Sequence, residues 1–458
     1  MKRVFEIDLR CLSLGRILLG LVVFFDILQS IQWRDLYYSE LGVLPRVEFS
    51  RLTGLQYSLS PYFAVSTEWF TTLLLGLSAV CAFFFMVGWR TRYSTGLLWL
   101  LVVSLQERNP WILTGGDSWL RATLFWLIFL PCGEYFSMDR VKDGNTERAT
   151  TVSNAASFGL VMQVVFIYFW AGLAKYGESY QNGTTLYYIF SNLEFGQPRA
   201  YSLLYFPQYL SVISKTIPWL EISAACLLVM PFGGRWFRRL GVFGLMILHL
   251  GIWWGMELYH FTYVAVATLV MMWLPAGKNE RPFRGYLAPG LSVILVVWTL
   301  ALLAYSPIRT LSPQSISVLT RERAEMLGLE QLWQLFAPTA PTSTFVIYPV
   351  AVLDQGAEQS LSFLGEKRDR PPKPRDPESH VRLARYWRSL VETPTQAMAA
   401  SRLRTLSSFY ARRWGRLYPG DVQRLRAIRL YRQTYQVLPG YEDSPPGPPE
   451  LIEEYHIR

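Results

Sequence analysis

The sequence predicts a mainly α fold: a polytopic transmembrane helix bundle of about nine helices, with a small exported C-terminal α+β domain. Three observations carry that reading. Half of the 458 residues are apolar (51%) and 15% are aromatic, richer than an ordinary soluble domain. Several apolar runs approach the roughly 20 residues that span a bilayer as a helix. After about residue 306 the sequence turns Pro-rich, Arg-rich and mixed, which divides the chain into residues 1–305 and 306–458.

The predicted spans lie near 12–31, 67–87, 93–107, 117–132, 155–175, 217–232, 240–256, 260–275 and 288–305. The start, MKRVFEIDLR, is basic and runs into the first span without a small-residue cleavage site, as in an uncleaved signal anchor. The third and fourth spans are short, so they tilt, or the link from Asn109-Pro110 to Gly115-Gly116 dips into the membrane against protein.

With the N-terminus inside, Lys2, Arg3, Arg10, Arg90, Arg92, Arg140, Lys142, Arg148, Arg235, Arg238, Arg239, Lys278, Arg281 and Arg284 fall on the cytoplasmic side. Only Arg34, Arg46, Arg51, Arg108, Arg199 and Lys215 lie in the short outer loops. This bias sets the orientation. An odd number of spans then exports the C-terminal region and the long loops 32–66 and 176–216. Topology accounts for the net charge of +10 better than nucleic acid does, and no nucleic-acid partner is expected. Cys11, Cys81, Cys132 and Cys226 lie in or beside apolar segments without a CxxC, so neither a disulfide framework nor a metal site is expected.

In the tail, Thr344–Leu353 reads as a strand whose proline favours an edge, and a second strand runs from about Leu425 to Val437. Pro371-Pro372-Lys373-Pro374 reads as a linker, and His380 to Tyr418 as helix with a break near Thr393-Pro394.

Polar residues inside apolar spans are costly and mark sites or buried pairs. Lys175 closes the run Phe158 to Leu173 and carries an amine to the outer edge of its helix. Two readings are open: it snorkels among headgroups, or it faces a cavity. Arg16 and Asp26, ten residues apart in the first span, cannot pair within one helix and call for an interface or another helix. Asp117 and Arg121 share a helix face at i, i+4, and Asp117 equally suits a helix N-terminus. His249 is a packing residue or a site residue within FGLMILHLGIWWG. Glu221, Glu257 and His260 lie at depths comparable to Lys175, so an outer-leaflet cluster of the four is an expectation. Trp253, Trp254, Tyr259 and Phe261 form an interfacial belt or line a pocket for a flat apolar ring such as a quinone. Soluble-enzyme signatures such as a Walker A loop, HExxH or GxSxG are absent.

Taken in order, LGRILLGLVVFFDIL, YYSELGVLPR, the stretch VGWRTRYSTGLLWLLVVSLQERNPWILTGGDSWLRATLFWLIFLPCGEYFSMD, FIYFWAGLAKYGESY and QLWQLFAPTAP resemble the bacterial HTTM family. That is the horizontally transferred transmembrane domain related to vitamin K-dependent γ-carboxylase. The resemblance covers about residues 10–345 and, more loosely, the tail with FYARRWGRLYPG. It implies a membrane enzyme in which Lys175, matching a lysine in an AG(x)xK segment, is the base toward reduced vitamin K or menaquinol. With O₂, that cofactor yields a strong base that removes a γ-proton from peptide Glu, to which CO₂ adds. Two positions differ from the carboxylase pattern: Ala174 stands where it has a lysine, and Gly115-Gly116-Asp117 where it has Asn-Asn-His.

The resulting expectation is an inner-membrane, quinol- and O₂-dependent enzyme that modifies an exported peptide or small substrate. Lys175, Asp117, Arg121 and His249 are its catalytic candidates, and Trp253, Trp254, Tyr259 and Phe261 its cofactor-binding candidates. The alternative is a non-catalytic maturation or scaffolding factor for an exported client. Its grip would come from the stretch Arg402 to Arg432, where Asp421 is the one acidic residue. The sequence leaves the oligomeric state open.

Overall fold

The computed structural model describes residues 4–53, 60–63, 67–141, 148–232, 234–273, 281–283, 285, 287–311, 333, 335–374, 381–393, 395–437 and 446–457. Lys2, Arg3, Lys142, Lys278, Arg284, His380 and Pro394, which entered the topology and helix expectations, lie outside the described residues, as does 312–332.

The chain opens with a two-residue strand β1 (Ile7–Asp8) that pairs antiparallel with β2 (Thr151–Val152). Asp8 then caps α1 (Leu9–Gln32), its carboxylate accepting from the Arg10 and Cys11 amides at 2.9 and 3.3 Å. Short helices α2 (Arg34–Tyr37) and α3 (Arg46–Thr53) fill the first long loop. Next come α4 (Glu68–Val87), α5 (Thr91–Arg108), α6 (Gly115–Leu127), α7 (Met138–Val141) and α8 (Ala155–Ala174). Gly88 ends α4 at φ +72°, a left-handed C-cap that leaves room for the Arg16 guanidinium, which donates to the Phe136 carbonyl at 2.5 Å. One Arg16 nitrogen thus bonds to backbone across the bundle, while its Nε and other terminal nitrogen have no hydrogen-bond partner among the described residues.

Two more short helices, α9 (Glu178–Gln181) and α10 (Thr185–Ser191), occupy the second long loop before α11 (Pro207–Leu228), α12 (Gly234–Gly255), α13 (Phe261–Met272) and α14 (Pro289–Leu311). The helix α11 starts about ten residues earlier than the span expected at 217–232. Pro207 opens it where a missing N–H costs nothing, and Pro218 is carried inside it. Among the described residues, four helices are long and apolar enough to cross a membrane: α1, α4, α8 and α11. The apolar stretches Phe261–Met272 and Pro289–Tyr305 are shorter.

The C-terminal region is a four-stranded antiparallel sheet in the order β4-β3-β5-β6, formed by β3 (Ser343–Leu353), β4 (Glu358–Ser360), β5 (Leu425–Gln436) and β6 (Glu450–His456). Helices α15 (Val381–Val391) and α16 (Gln396–Leu417) separate its halves, with the break at the expected place. The expected edge position of β3 is corrected: it is an inner strand between β4 and β5. Its Pro349 is nonetheless accommodated, because β4 pairs only from Val350 to Val352, so the missing N–H lies just past that ladder.

Strand β6 was not anticipated, since three acidic residues in ELIEEYH mask its pattern. It also brings counter-charges to part of the arginine-rich stretch. Arg429 lies opposite Glu454 and Arg432 opposite Glu450 across β5 and β6, at 3.2 and 2.5 Å. Arg426 pairs with Asp354, and Arg424 with its near neighbour Asp421.

The sheet domain is tied to the bundle through α15. Buried Arg382 places one guanidinium nitrogen 2.9 Å from Asp26 of α1 and 3.1 Å from Asp117 of α6. His260, just before α13, brings its ring nitrogens to 3.5 and 3.7 Å from the same two carboxylates. Tyr259 donates to Asp26 at 2.5 Å and lies 4.6 Å under the Arg382 guanidinium. Burial pulls the Arg382 pKa down, but Asp117 and Asp26 outweigh it and hold the guanidinium well above its ordinary value. Tyr386 and Arg388 add contacts to the Val43 carbonyl and to Glu194, at 3.3 and 2.5 Å.

Removing one partner of such a buried cluster leaves the others uncompensated, a cost of about 3–5 kcal/mol. Arg382→Ala is therefore expected to loosen the C-terminal domain while leaving the helices folded. Limited proteolysis of the purified protein should cut residues 343–456 markedly faster than in the wild type. Equal protection of that region in the variant would show that Arg382 is not the attachment.

Candidate functional site

Lys175 is the C-cap of α8, and its side chain folds inward, not out to the headgroups. Its Nζ donates to the Ala171 carbonyl at 3.1 Å and to Glu221 Oε2 of α11 at 2.7 Å, and the residue is only 8% exposed. The close approach of the two helices makes this possible. A Cβ on Gly172 would stand 2.8 Å from the Pro218 carbonyl, so only glycine lets α8 and α11 meet there.

The Lys175–Glu221 pair sits in the wall of a cavity of about 830 Å³. Trp119, Tyr168, Phe261 and Trp333 supply aromatic surface, and His249 lies in the same wall. The rings meet edge to face: Trp119 lies 5.6 Å from Tyr168, 5.5 Å from Phe261 and 5.8 Å from Trp333. Val381, Arg385 and Arg388 of α15 close the cavity from the side of the sheet domain. This volume lies inside the range of about 300–1,000 Å³ usual for small-molecule sites, and its wall is mixed: Glu194, Arg385 and Arg388 stand with Lys175 and Glu221 among the aromatic and aliphatic side chains.

The expected cluster of Lys175, Glu221, Glu257 and His260 divides in the structure. Lys175 and Glu221 pair in the cavity, His260 joins Asp26 and Asp117, and Glu257 accepts from Gln197. The expected Asp117–Arg121 bridge does not form among the described residues. Asp117 instead spends one oxygen on Arg382 and the other on the start of α6, accepting from the Thr114 amide and hydroxyl at 2.7 and 2.8 Å. Arg121 lies one turn further along α6, where its carbonyl accepts from Trp99 Nε1 at 3.2 Å. Asp26, Asp117 and His260 bring ligand atoms within 4.8 Å of one another, a spacing compatible with a metal, yet the cation between the carboxylates is the guanidinium of Arg382.

The four ring candidates also separate. Phe261 lines the Lys175 cavity, whereas Trp253 and Tyr259 line a second space of about 850 Å³ between α1, α12 and α13. Trp254 packs with the cluster of Phe190, Leu204 and Met256, and its carbonyl accepts from Arg199 at 2.6 Å. His249 borders both spaces.

The sequence reading left Trp119, Tyr168, Trp333 and Arg382 out of the site. For Tyr168 a signal was present: it precedes Lys175 by seven residues, two helical turns, and so shares its face of α8. For Arg382 there was none, because its partners lie hundreds of residues away.

The aromatic cavity with a buried amine at its edge suits a flat, largely apolar molecule bearing oxygen, so the residues present fit a quinone. No curated protein and no solved structure matches the chain. The HTTM domain matches residues 5–276, which takes in α1 through α13 with Lys175, Glu221 and the aromatic wall other than Trp333. With well over half of its length matched, the chain belongs to the HTTM domain family and is a membrane protein of that family.

Proposed function

We propose that this protein is an integral membrane enzyme that uses a reduced quinone, reduced vitamin K or menaquinol, together with O₂ to modify an exported peptide or small substrate. Lys175 is the base. The observation that carries the reading is a buried amine, 2.7 Å from a buried carboxylate, in the wall of an aromatic cavity. A lysine serving only to reach the headgroups would point outward and be solvated.

The chemistry asked of the pair is proton uptake. As a base, Nζ accepts one proton from a bound ligand, and Glu221, 2.7 Å away, takes the hydrogen bond of the ammonium that forms. When bound, a reduced quinone supplies an acidic hydroxyl and, with O₂, a stronger oxygen base. Trp119, Phe261 and Trp333 hold the ring, and α15 keeps water from the cavity. Arg121, Asp117, Trp253, Trp254 and Tyr259 do not touch this space and take no part in the step.

The same reading places the N-terminus inside a bacterial inner membrane, with the bundle end that carries Lys175 and the sheet domain outside. The basic residues between the apolar segments support it. The alternative is a non-catalytic factor that holds an exported client by its arginine stretch, of which Arg426, Arg429 and Arg432 are engaged in internal ion pairs.

Three outcomes are expected. Purified protein oxidises a reduced naphthoquinone in an O₂-dependent manner, and Lys175→Ala lowers that rate by about 10²-fold or more, the usual worth of a general base. Turnover in Lys175→Ala equal to wild type would remove the assigned role. Glu221→Gln keeps a hydrogen-bond partner but removes the carboxylate charge beside Nζ, so its rate should fall by about tenfold or more and its pH profile should move. A phosphatase fused after residue 458 should be active and one fused after residue 139 inactive, whereas the reverse pattern would invert the topology.

A further inference from the structure

His249 of α12 is 1% exposed and is enclosed by three rings, with Trp119, Tyr168 and Phe261 centred 6.0, 5.9 and 5.7 Å away. Its Nε2 lies 2.8 Å from the Tyr168 hydroxyl, while its Nδ1 is buried without a hydrogen-bond partner among the described residues. Buried polar atoms are nearly always paired, and one left unpaired costs about 1–3 kcal/mol. An orphaned nitrogen in the wall of a ligand-sized cavity therefore points to an absent partner.

The hydrogen bond to Tyr168 decides what that partner is. A neutral imidazole donates from one nitrogen and accepts at the other. Among the described residues the Tyr168 hydroxyl has Nε2 as its hydrogen-bond partner, so its proton has an acceptor only if it is given to Nε2. The ring hydrogen then sits on Nδ1, which is left as a donor without an acceptor among the described residues. Tyr168 and Lys175 stand two turns apart on α8. The helix thus carries an amine base at its end and, deeper, the residue that sets the histidine tautomer.

We infer that His249, held in its Nδ1–H tautomer by Tyr168, is the anchor that donates a hydrogen bond to an acceptor oxygen on a flat apolar ring bound in this cavity. His249 positions and selects the ligand, whereas Lys175 handles the proton. The inference rests on the proposed use of the cavity for a quinone and adds the residue that distinguishes an oxygenated ring from a plain hydrocarbon.

The test is equilibrium binding of menadione to the full-length chain in lipid nanodiscs, followed by tryptophan quenching. Methylnaphthalene, the same skeleton without oxygens, is the comparison, with concentrations counted per lipid. Wild type should prefer menadione by about tenfold, the size of one buried hydrogen bond. His249→Phe keeps the apolar wall and should bind both equally, and Tyr168→Phe, which frees the tautomer, should lower the preference. In ¹⁵N-histidine-labelled wild type, one of the four histidines should report a protonated Nδ1 that shifts with menadione and not with the hydrocarbon. Equal binding of the two probes by wild type, or an unshifted Nδ1, overturns the inference without any variant having to fold. Preference for menadione in a protein that turns over no quinol would instead keep the anchor and remove the enzyme reading.

Discussion

A single guanidinium organises this molecule. An arginine cannot shed its proton on burial, so Arg382 requires carboxylates wherever it is enclosed. It finds them on two different helices, Asp26 of α1 and Asp117 of α6, with His260 beside both. Three separate parts of the bundle are thereby fixed relative to α15, and α15 in turn closes the cavity that contains Lys175. Tyr386 on Val43, and Thr344 and Arg388 on Glu194, add to the hold of that cluster on the sheet domain.

The Arg382 cluster and the Lys175 pair differ in kind. In the first, a permanent cation lies between carboxylates of two helices, and Asp26, Tyr259 and His260 also line the second space. Lys175 and Glu221 form a simple pair in the wall of the other cavity. The first joins three parts of the bundle to α15, whereas the second joins α8 to α11 alone.

Much of this was legible in the sequence, and the remainder was lost for physical reasons. Apolar runs, helix breaks and the strands at 343–353 and 425–436 are local patterns; the strand bounds were read to within a few residues, whereas α11 and α12 begin well before the expected spans, α14 runs past its own and α6 ends short of it. Lys175 stood out because a charge closing an apolar run is rare, and Glu221 could be named as being at similar depth. Their pairing could not be distinguished from a wider cluster with Glu257 and His260, because depth along a span does not give the direction a side chain faces. Asp117 was read with Arg121 because four residues on a helix are neighbours, yet the cap and a distant arginine claimed both of its oxygens. In the arginine-rich tail, the partners of Arg429 and Arg432 arrive through strand pairing and so were not visible locally.

Gly116 gives the close approach of α6 and α13 a further meaning. A Cβ at this position would stand 2.6 Å from the His260 ring and 2.9 Å from the backbone of Phe261. One neighbour of this contact belongs to the charge cluster and the other to the aromatic cavity. The narrow crossing is therefore a shared hinge pin: any side chain placed there must displace the fastening and the ligand wall together. Polar character can be added to this pocket only from other helices, never by enlarging the residue at the crossing.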